Sequence, residues 1–497
     1  SLTIAAPGSI RAVSGNQQVS ISWDAVVGAT SYMLYWSTIP FSNKSAANRI
    51  TDVLSPYLHA PLTNGITYYY RVSSVANSQE SGLSAQVAAT PTGGSTLGYV
   101  EGYLLKPSGG QGGAPVVSCG APAGYQPLTG ATVALTGGGT TLTSASGYFQ
   151  VAGTAGLHSL SLSASNYMPI TQMVNLPSAG GIQPGTQGCL SMPKSDTTAL
   201  SAAVPTVAAT AATDIQFEAQ VADSTGTQLL GMPASSFSIS VGDSHGQNFQ
   251  PATLMSFSQQ TSGGANYQEF TAVLVLDASG SMLEPADPQN PIGPTKLDTA
   301  RQAAQYFVDN KQPADAVALI IFDHQVTFFQ DFTTDKNVLL QKLLCYDSGN
   351  APCWAWGGST AVYDAMYRGL EALETQTAAR KFVIALTDGK DNASLHTSND
   401  VILRANSNGS AIDTFGVGSD VDSGDLQFIA SSTGGYYMQI LDATQIPAAF
   451  SGILTQAQNP YSVTVSVPGL GSGLHMLKVD VGYAGIAGSA LRLFTVP

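Results

Sequence analysis

The chain has 497 residues and a formal net charge of −14, with 18 Lys and Arg against 32 Asp and Glu. This acidic balance argues against nucleic acid and against anionic membrane surfaces as partners. No apolar run approaches the ~18 residues that a membrane-spanning helix needs, so we expect no transmembrane segment. The length indicates several domains, and the 10% of charged residues together with 52 Gly favours β-rich, secreted modules.

Residues 1–92 consist of short strand patterns that are separated by turn signals. Trp23 lies in an early strand, and Leu62 precedes Tyr68 in the segment LTNGITYYYRV. This part of the chain resembles a fibronectin type III domain, in which Leu62 and Tyr68 would form the tyrosine corner. The resemblance implies a β-sandwich that acts as a spacer and says little about function.

A turn-rich linker, TPTGGST, precedes a second all-β pattern over residues 97–190. It resembles the carboxypeptidase regulatory-like domain, a sandwich of the transthyretin type. The residues that carry the resemblance are Pro127, Leu128, Gly130, Ala131, Val133, Gly147, Tyr148, Phe149, Asn166 and Tyr167. No zinc-peptidase residues accompany it, so the resemblance implies no enzymatic activity.

The chain contains four cysteines, and none of them forms a CxxC motif that would indicate a zinc or haem site. Cys119 and Cys189 flank the second domain, whereas Cys345 and Cys353 lie eight residues apart. We expect two disulfides in an oxidising compartment, with the pairs chosen by proximity in sequence. Four buried thiols are the alternative.

Residues 191–213 are rich in Ala, Thr, Ser and Pro, and we interpret them as a linker or a long edge strand. Residues 214–270 and 458–497 again show strand patterns, and they lie on either side of one α/β unit. This order predicts a β-sandwich into which the α/β unit is inserted. Two separate small sheets are the alternative.

Residues 271–457 contain four continuous apolar runs, as expected of strands that are buried on both faces. The runs are TAVLVLD, AVALIIF, KFVIALTD and IDTFGVG. Helical patterns lie between them, and Thr295 with Asp298 three residues later predicts the start of the first helix. Alternating strands and helices predict a doubly wound, Rossmann-like parallel sheet, which binds ligands at the carboxyl ends of its strands.

Five oxygen-bearing residues occur at three of these strand ends. Asp277, Ser279 and Ser281 form an Asp-x-Ser-x-Ser motif directly after the first strand, Thr360 precedes a helix in GGSTAVYDA, and Asp388 follows a strand in IALTDGKDN. In this setting and order they resemble the metal-ion-dependent adhesion site of the von Willebrand factor type A family. The segments IASSTGGYY and QIPAAFSGIL resemble the last strand and helix of that family.

The residue types at these positions suit a hard divalent cation, which prefers oxygen ligands. Two carboxylates neutralise the ion, and three hydroxyls leave its shell incomplete, so that an Asp or Glu of a protein partner can enter. We expect Mg²⁺, with Ca²⁺ or Mn²⁺ as alternatives. The resemblance implies direct coordination by the hydroxyls and contact through water for one or both carboxylates. The alternative is a set of ordinary polar strand ends, or a degenerate site that folds without metal.

Two tryptophans, Trp354 and Trp356, lie in the short segment between Cys345 and Thr360. Because aromatic side chains often dominate interfaces, they are candidates for partner binding beside the metal site. The alternative is that both cover the core of their own domain. We interpret Asp391 and Asn392 as residues of a solvated loop.

Enzyme signatures are missing from the sequence: it contains no HExxH, no G-x-S-x-G elbow around Ser279 and no P-loop. We therefore expect a non-enzymatic adhesion or interaction protein. We place it outside the cell or at the cell surface, secreted or held by a lipid or protein anchor. The alternative is a structural subunit or tip of a self-assembling surface filament, with a structural or regulatory metal site. A metal-dependent hydrolase is a third hypothesis.

Overall fold

The computed structural model describes the chain from residue 4 to residue 497 with several gaps. The residues outside the description are 9, 24–25, 27–28, 54, 56, 77–78, 94–96, 108–118, 120–124, 179, 185–187, 210–212, 261, 263–266 and 345–357, and the side chain of residue 328. Cys345, Cys353, Trp354 and Trp356 therefore lie outside the described residues, and their predicted roles stay predictions. Among the helices of the described ranges, none is both long and apolar enough to span a membrane.

The described part of the first β-sandwich contains eight short strands. They are β1 (Arg11–Gly15), β2 (Gln18–Ser22), β3 (Ser31–Ser37), β4 (Asn48–Val53), β5 (Tyr57–His59), β6 (Tyr68–Ala76), β7 (Gln79–Glu80) and β8 (Val87–Ala89). One sheet contains β1, β2 and β5, and the other contains β3, β4 and β6–β8. Trp23 and Leu62 are buried in the core with Tyr68, whose hydroxyl accepts a hydrogen bond from Thr63 N at 3.0 Å. This bond closes the corner that the sequence predicts.

A second sandwich follows, and its long strand β9 pairs with each of the four other described strands of one sheet. Its strands are β9 (Leu97–Pro107), β10 (Tyr125–Pro127), β11 (Thr132–Leu135), β12 (Thr140–Leu142), β13 (Tyr148–Thr154), β14 (Gly156–Ser163), β15 (Ile170–Leu176), β16 (Gly180–Ile182) and β17 (Cys189–Ser191). The second sheet contains β11, β12, β14 and β15. Cys119 and Cys189 form a disulfide with their Cα atoms 5.7 Å apart. Gly147 has a φ of +76°, and a side chain there would collide with the carbonyl of Leu104, so this turn requires glycine.

The third sandwich begins earlier in the chain than the sequence indicates. Its first strands are β18 (Ser201–Ala203), β19 (Val207–Ala209), β20 (Asp214–Ala222), β21 (Phe237–Asp243), β22 (Gln250–Pro251) and β23 (Thr253–Gln259). Both β18 and β19 pair antiparallel with β20. Of the two interpretations of residues 191–213, the described strands favour the edge strand over the linker, and Leu200, Ala203 and Val204 are buried.

The α/β unit comes next, and its described residues, with a gap at 345–357, form six strands and six α-helices. The strands are β24 (Phe270–Asp277), β25 (Ala316–Phe322), β26 (Val326–Thr333), β27 (Arg380–Thr387), β28 (Ala411–Val417) and β29 (Tyr437–Ile440). The helices are α1 (Lys296–Asn310), α2 (Lys336–Leu343), α3 (Val362–Glu374), α4 (Ser398–Asn408), α5 (Ser423–Thr433) and α6 (Ile446–Gln458). The strand order is β26-β25-β24-β27-β28-β29, parallel throughout except for the edge pair β25–β26. Helices α1, α2 and α6 cover one face and α3–α5 the other, so both faces are buried.

The chain then returns to the third sandwich. Its last strands are β30 (Tyr461–Ser466), β31 (Gly473–Tyr483) and β32 (Ile486–Val496). Strand β30 lies between β20 and β23, with Tyr461 opposite Gln259, so the α/β unit leaves and re-enters the sandwich at neighbouring strands. One hydrophobic cluster extends through the second and third sandwiches. The expected fold class, several β-sandwiches and a doubly wound unit, is confirmed.

Candidate metal centre

Asp277 is the last residue of β24 and is fully buried, with 0% of its surface exposed. Its Oδ1 accepts a hydrogen bond from Ser279 N at 2.7 Å, and its Oδ2 accepts one from Thr387 Oγ1 at 2.6 Å. Thr387 ends β27, the parallel neighbour of β24, so two adjacent strand ends hold the carboxylate. Burial raises the pKa of Asp277 to about 6, although the hydrogen bonds act in the opposite direction.

The serines of the Asp-x-Ser-x-Ser motif connect Asp277 to Asp388. Ser279 is buried, and its Oγ lies 3.3 Å from the Oγ of Ser281. Ser281 belongs to a single turn of 3₁₀-helix, and its Oγ donates a hydrogen bond to Asp388 Oδ1 at 2.6 Å. Asp388 follows β27 directly, so this bond joins the loops after two neighbouring strands.

Thr360 reaches the same place from a third loop, the one that precedes α3. It lines one open cavity of about 580 Å³ together with Ser281 and Asp388. A Cβ atom on Gly389 would lie 3.2 Å from Thr360 Oγ1, which shows how closely the two loops approach. The structure therefore brings all five sequence-predicted residues to one edge of the sheet, where Ser281 is partly exposed and the other four are buried.

The loop after Asp388 also holds the loop that carries Thr360. Asn392 is exposed, as expected of a solvated loop, but its Oδ1 accepts a hydrogen bond from Thr360 N at 2.8 Å. Asp391 is half-buried, and its Oδ2 accepts hydrogen bonds from Tyr363 N at 3.2 Å and from Ser394 Oγ at 2.5 Å. Asp391 is thus a partly solvated loop residue that also satisfies an otherwise unpaired N–H in the first turn of α3.

Lys296 is a residue of this site that the sequence analysis did not identify. It opens α1, and its Nζ lies 2.9 Å from Asp388 Oδ2 and 2.8 Å from Glu284 Oε2. Burial lowers the pKa of Lys296, but the hydrogen bonds and charges of the two carboxylates outweigh this effect and raise the pKa overall. A lysine at the first position of a helix opposes the helix dipole, and this mismatch was the available sequence signal for a nearby carboxylate.

Comparison with known families decides what this α/β unit is. Residues 272–390 match the sequence model of the von Willebrand factor type A domain. The central unit is a von Willebrand factor type A domain. The domain family that the motifs at the strand ends indicate is thereby confirmed for this unit, which is called the A domain below.

The chain is also similar to several individual proteins. A von Willebrand factor type A structure from Catenulispora acidiphila is 14% identical, with 60% of this chain and 74% of that chain covered and a TM-score of 0.33. Proximal thread matrix protein 1 from the mussel byssus, with a zinc-occupied adhesion motif, is 20% identical, with 39% and 47% covered and a TM-score of 0.33. An amylopullulanase from Thermoanaerobacter thermohydrosulfuricus is 39% identical over 84 residues, which are 16% of this chain and 6% of that enzyme.

The donor set of the A domain fits a hard divalent cation. Hydroxyl and carboxylate oxygens line the cavity, and these are the ligands that Mg²⁺ and Ca²⁺ prefer. Among the residues that the structure describes, no three or more His, Cys, Asp or Glu side chains are grouped so that they could hold a metal ion. The Asp388 carboxylate already contacts one cationic group, the ammonium of Lys296.

Proposed function

We propose that the A domain binds an Asp or Glu of a protein partner through a divalent cation. The observation that supports this most directly is the convergence of Ser281, Thr360 and Asp388 on one open cavity. Mg²⁺ is the proposed ion, with Ca²⁺ and Mn²⁺ as alternatives. When bound, the ion supplies an electrophilic centre that a partner's carboxylate can approach from solvent.

Each residue of the site has a separate proposed role. Ser279, Ser281 and Thr360 offer neutral hydroxyls as ligands, so they hold the ion without cancelling its charge. Asp388 supplies negative charge at the cavity wall. Asp277 contributes its charge from behind and fixes the backbone of the Ser279 loop through the hydrogen bond to Ser279 N.

The charges around the cavity support an acidic partner. Among its described lining residues are three acids, Glu284, Asp388 and Asp420, and two bases, Lys296 and Lys390. These lining residues carry a formal charge of −1, which a divalent cation would change to +1. A positive cavity on a chain of net charge −14 attracts a carboxylate at one defined point and repels acidic surfaces elsewhere.

We further propose that the protein acts outside the cytoplasm, secreted or at a cell surface, as a binding protein and not as an enzyme. The disulfide between Cys119 and Cys189 supports an oxidising compartment. The first two sandwiches would then serve as spacers that extend the A domain towards its partner.

Calorimetric titration of the full chain with Mg²⁺, Mn²⁺ and Ca²⁺ tests the metal site. We expect Asp388→Ala to abolish binding and Thr360→Ala to weaken it, because each removes an oxygen donor from the cavity. Asp331→Asn removes an exposed carboxylate from β26 of the same domain and serves as the control with unchanged affinity. Equal metal binding by Asp388→Ala and the unmodified chain would overturn the assignment.

Immobilised peptides test the proposed partner chemistry. The probe is a set of peptide pairs that differ only by Asp or Glu against Asn or Gln, presented in Mg²⁺ and in EDTA. We expect retention of the protein on the acidic members in Mg²⁺ alone, and loss of retention in Asp388→Ala. Retention that is the same in EDTA would mean that the cation takes no part.

A further inference from the structure

A second cavity lies between the A domain and the third sandwich. It has a volume of about 890 Å³ and shares no described lining residue with the metal centre. Strands β19, β20 and β32 supply the wall on the sandwich side, while β27 and the end of α4 supply it on the A-domain side. Ligand sites are often found at domain interfaces, so the polar groups that line this cavity are candidates for binding a ligand.

Arg492 of β32 lines this cavity and is 3% exposed. Its Nη2 donates a long hydrogen bond of 3.4 Å to the carbonyl of Ser410. Its Nε and Nη1 have no hydrogen-bond partner among the described residues, and no described carboxylate forms an ion pair with it. A buried guanidinium without counter-charge is strongly unfavourable, so the side chain lacks the partner that its burial requires.

The rest of the described cavity wall does not supply that partner. Its one carboxylate, Glu218, is already paired with Arg380 at 2.8 Å. Lys381 adds a further positive charge to the same wall. Burial lowers the pKa of Arg492 to about 10, so the guanidinium is still charged at neutral pH. The wall therefore carries uncompensated positive charge within a chain whose net charge is −14.

We propose that this cavity binds a small oxyanion, a carboxylate or phosphate group, with Arg492 as its charged donor. Guanidinium N–H groups form their strongest hydrogen bonds with carboxylate and phosphate oxygens. Arg492 belongs to the sandwich, whereas Lys381 belongs to the A domain. A bound oxyanion would therefore compensate charges from both domains and strengthen their contact.

Titration calorimetry of the full chain in EDTA tests this proposal without involving the metal centre. The probes are inorganic phosphate and succinate, which distinguish a phosphate ligand from a carboxylate ligand. We expect saturable binding of at least one of them, and a loss of at least about tenfold in affinity in Arg492→Met. Arg368→Met removes a guanidinium that is 56% exposed on α3 and is the control with unchanged affinity. No uptake of either anion, or equal uptake by Arg492→Met, would overturn the proposal.

Two further measurements keep the test informative if Arg492→Met does not fold. Leu493 lines the cavity beside Arg492, so Leu493→Trp is expected to fill it and abolish anion uptake while the guanidinium remains. Crystals of the unmodified chain soaked in selenate should show anomalous density within hydrogen-bond distance of Arg492. Full anion affinity in Leu493→Trp, or selenate bound only elsewhere, would contradict this location.

Discussion

Two buried carboxylates of the A domain, Asp277 and Asp413, titrate far from their ordinary range. Asp413 belongs to β28 and is 1% exposed. Its Oδ1 accepts a hydrogen bond from Tyr436 N at 2.7 Å, while its Oδ2 has no partner among the described residues. Burial raises the pKa of Asp413 to about 7. The folded protein thus prefers the neutral acid at this position.

This preference predicts a pH-dependent stability that Asp413→Asn removes. Below about pH 4 the acid is protonated in both states. From there to about pH 7 the unfolded chain has lost the proton that the folded chain retains, so the free energy of unfolding falls as pH rises. The slope is at most about 1.4 kcal/mol per pH unit. Urea unfolding at several pH values should therefore show a growing advantage for Asp413→Asn, with Asp331→Asn as the exposed control. A constant difference across this range would contradict the assignment.

Single residues also show how much of the metal centre could be predicted from sequence. Asp277, Thr360 and Asp388 follow from residue type and position at strand ends, because a parallel sheet brings those ends to one edge. The roles of Lys296 and Asn392 could not be predicted, because their contacts with Asp388 and Thr360 depend on the three-dimensional positions of a helix start and a loop. Whether the five residues bind metal stays a prediction.

Among the helices of the A domain, α1 and α4 begin with the same capping arrangement. In α1, Thr295 Oγ1 accepts a hydrogen bond from Asp298 N at 3.0 Å, and Asp298 Oδ2 accepts one from Thr295 N at 3.1 Å. Thr397 and Asp400 repeat the exchange at α4. The sequence prediction of a helix start at Thr295 is confirmed. Because Lys296 directly follows this cap, the cap also fixes the helix end that meets Asp388.

We predict that Thr295→Ala lowers the free energy of unfolding by about 1 kcal/mol, because it leaves an N–H of the first turn of α1 unpaired. Thr397→Ala should cost a similar amount at α4. Thr295→Ser retains an oxygen at the same position and is expected to recover most of the loss. Chemical denaturation of the three variants checks this, and a loss in Thr295→Ser equal to that in Thr295→Ala would argue against the cap.

Strands could be predicted where their sequence is a continuous apolar run. They were harder to predict where their formation depends on pairing with another strand. The apolar runs of β24, β25, β27 and β28 predict buried strands, and all four are present. For β18 and β19 the sequence leaves a linker and an edge strand open, because segments of three residues carry little periodicity. Their pairing depends on β20, which lies further along the chain.

At the scale of the whole molecule, a buried ion pair joins the A domain to the third sandwich. Arg380 opens β27 and is 1% exposed, and its Nε lies 2.8 Å from Glu218 Oε2 of β20. Its other nitrogens donate to the carbonyls of Gln268 and Ala457, while Gln260 Nε2 donates to Glu218 Oε1 at 2.8 Å. Every guanidinium nitrogen of Arg380 is therefore satisfied, whereas Nε and Nη1 of Arg492 in the same interface have no hydrogen-bond partner among the described residues.

We predict that Arg380→Met destabilises the full chain by about 3–5 kcal/mol, because it leaves Glu218 buried without its counter-charge. The double variant Arg380→Met, Glu218→Met should recover most of this loss, since no unpaired charge remains. Differential scanning calorimetry of the single and double variants measures both effects. Equal losses in the two variants would show that the ion pair does not couple the domains.

The neighbouring positions of β23 and β30 have a consequence for biosynthesis. When the ribosome has completed β23 at Gln259, its sheet partner at Tyr461 has not yet been translated. Until then β20 and β23 keep exposed edges, because β30 is the strand that lies between them. Nascent chains that stall within the A domain therefore display open strand edges, which are sites for aggregation and for chaperone capture.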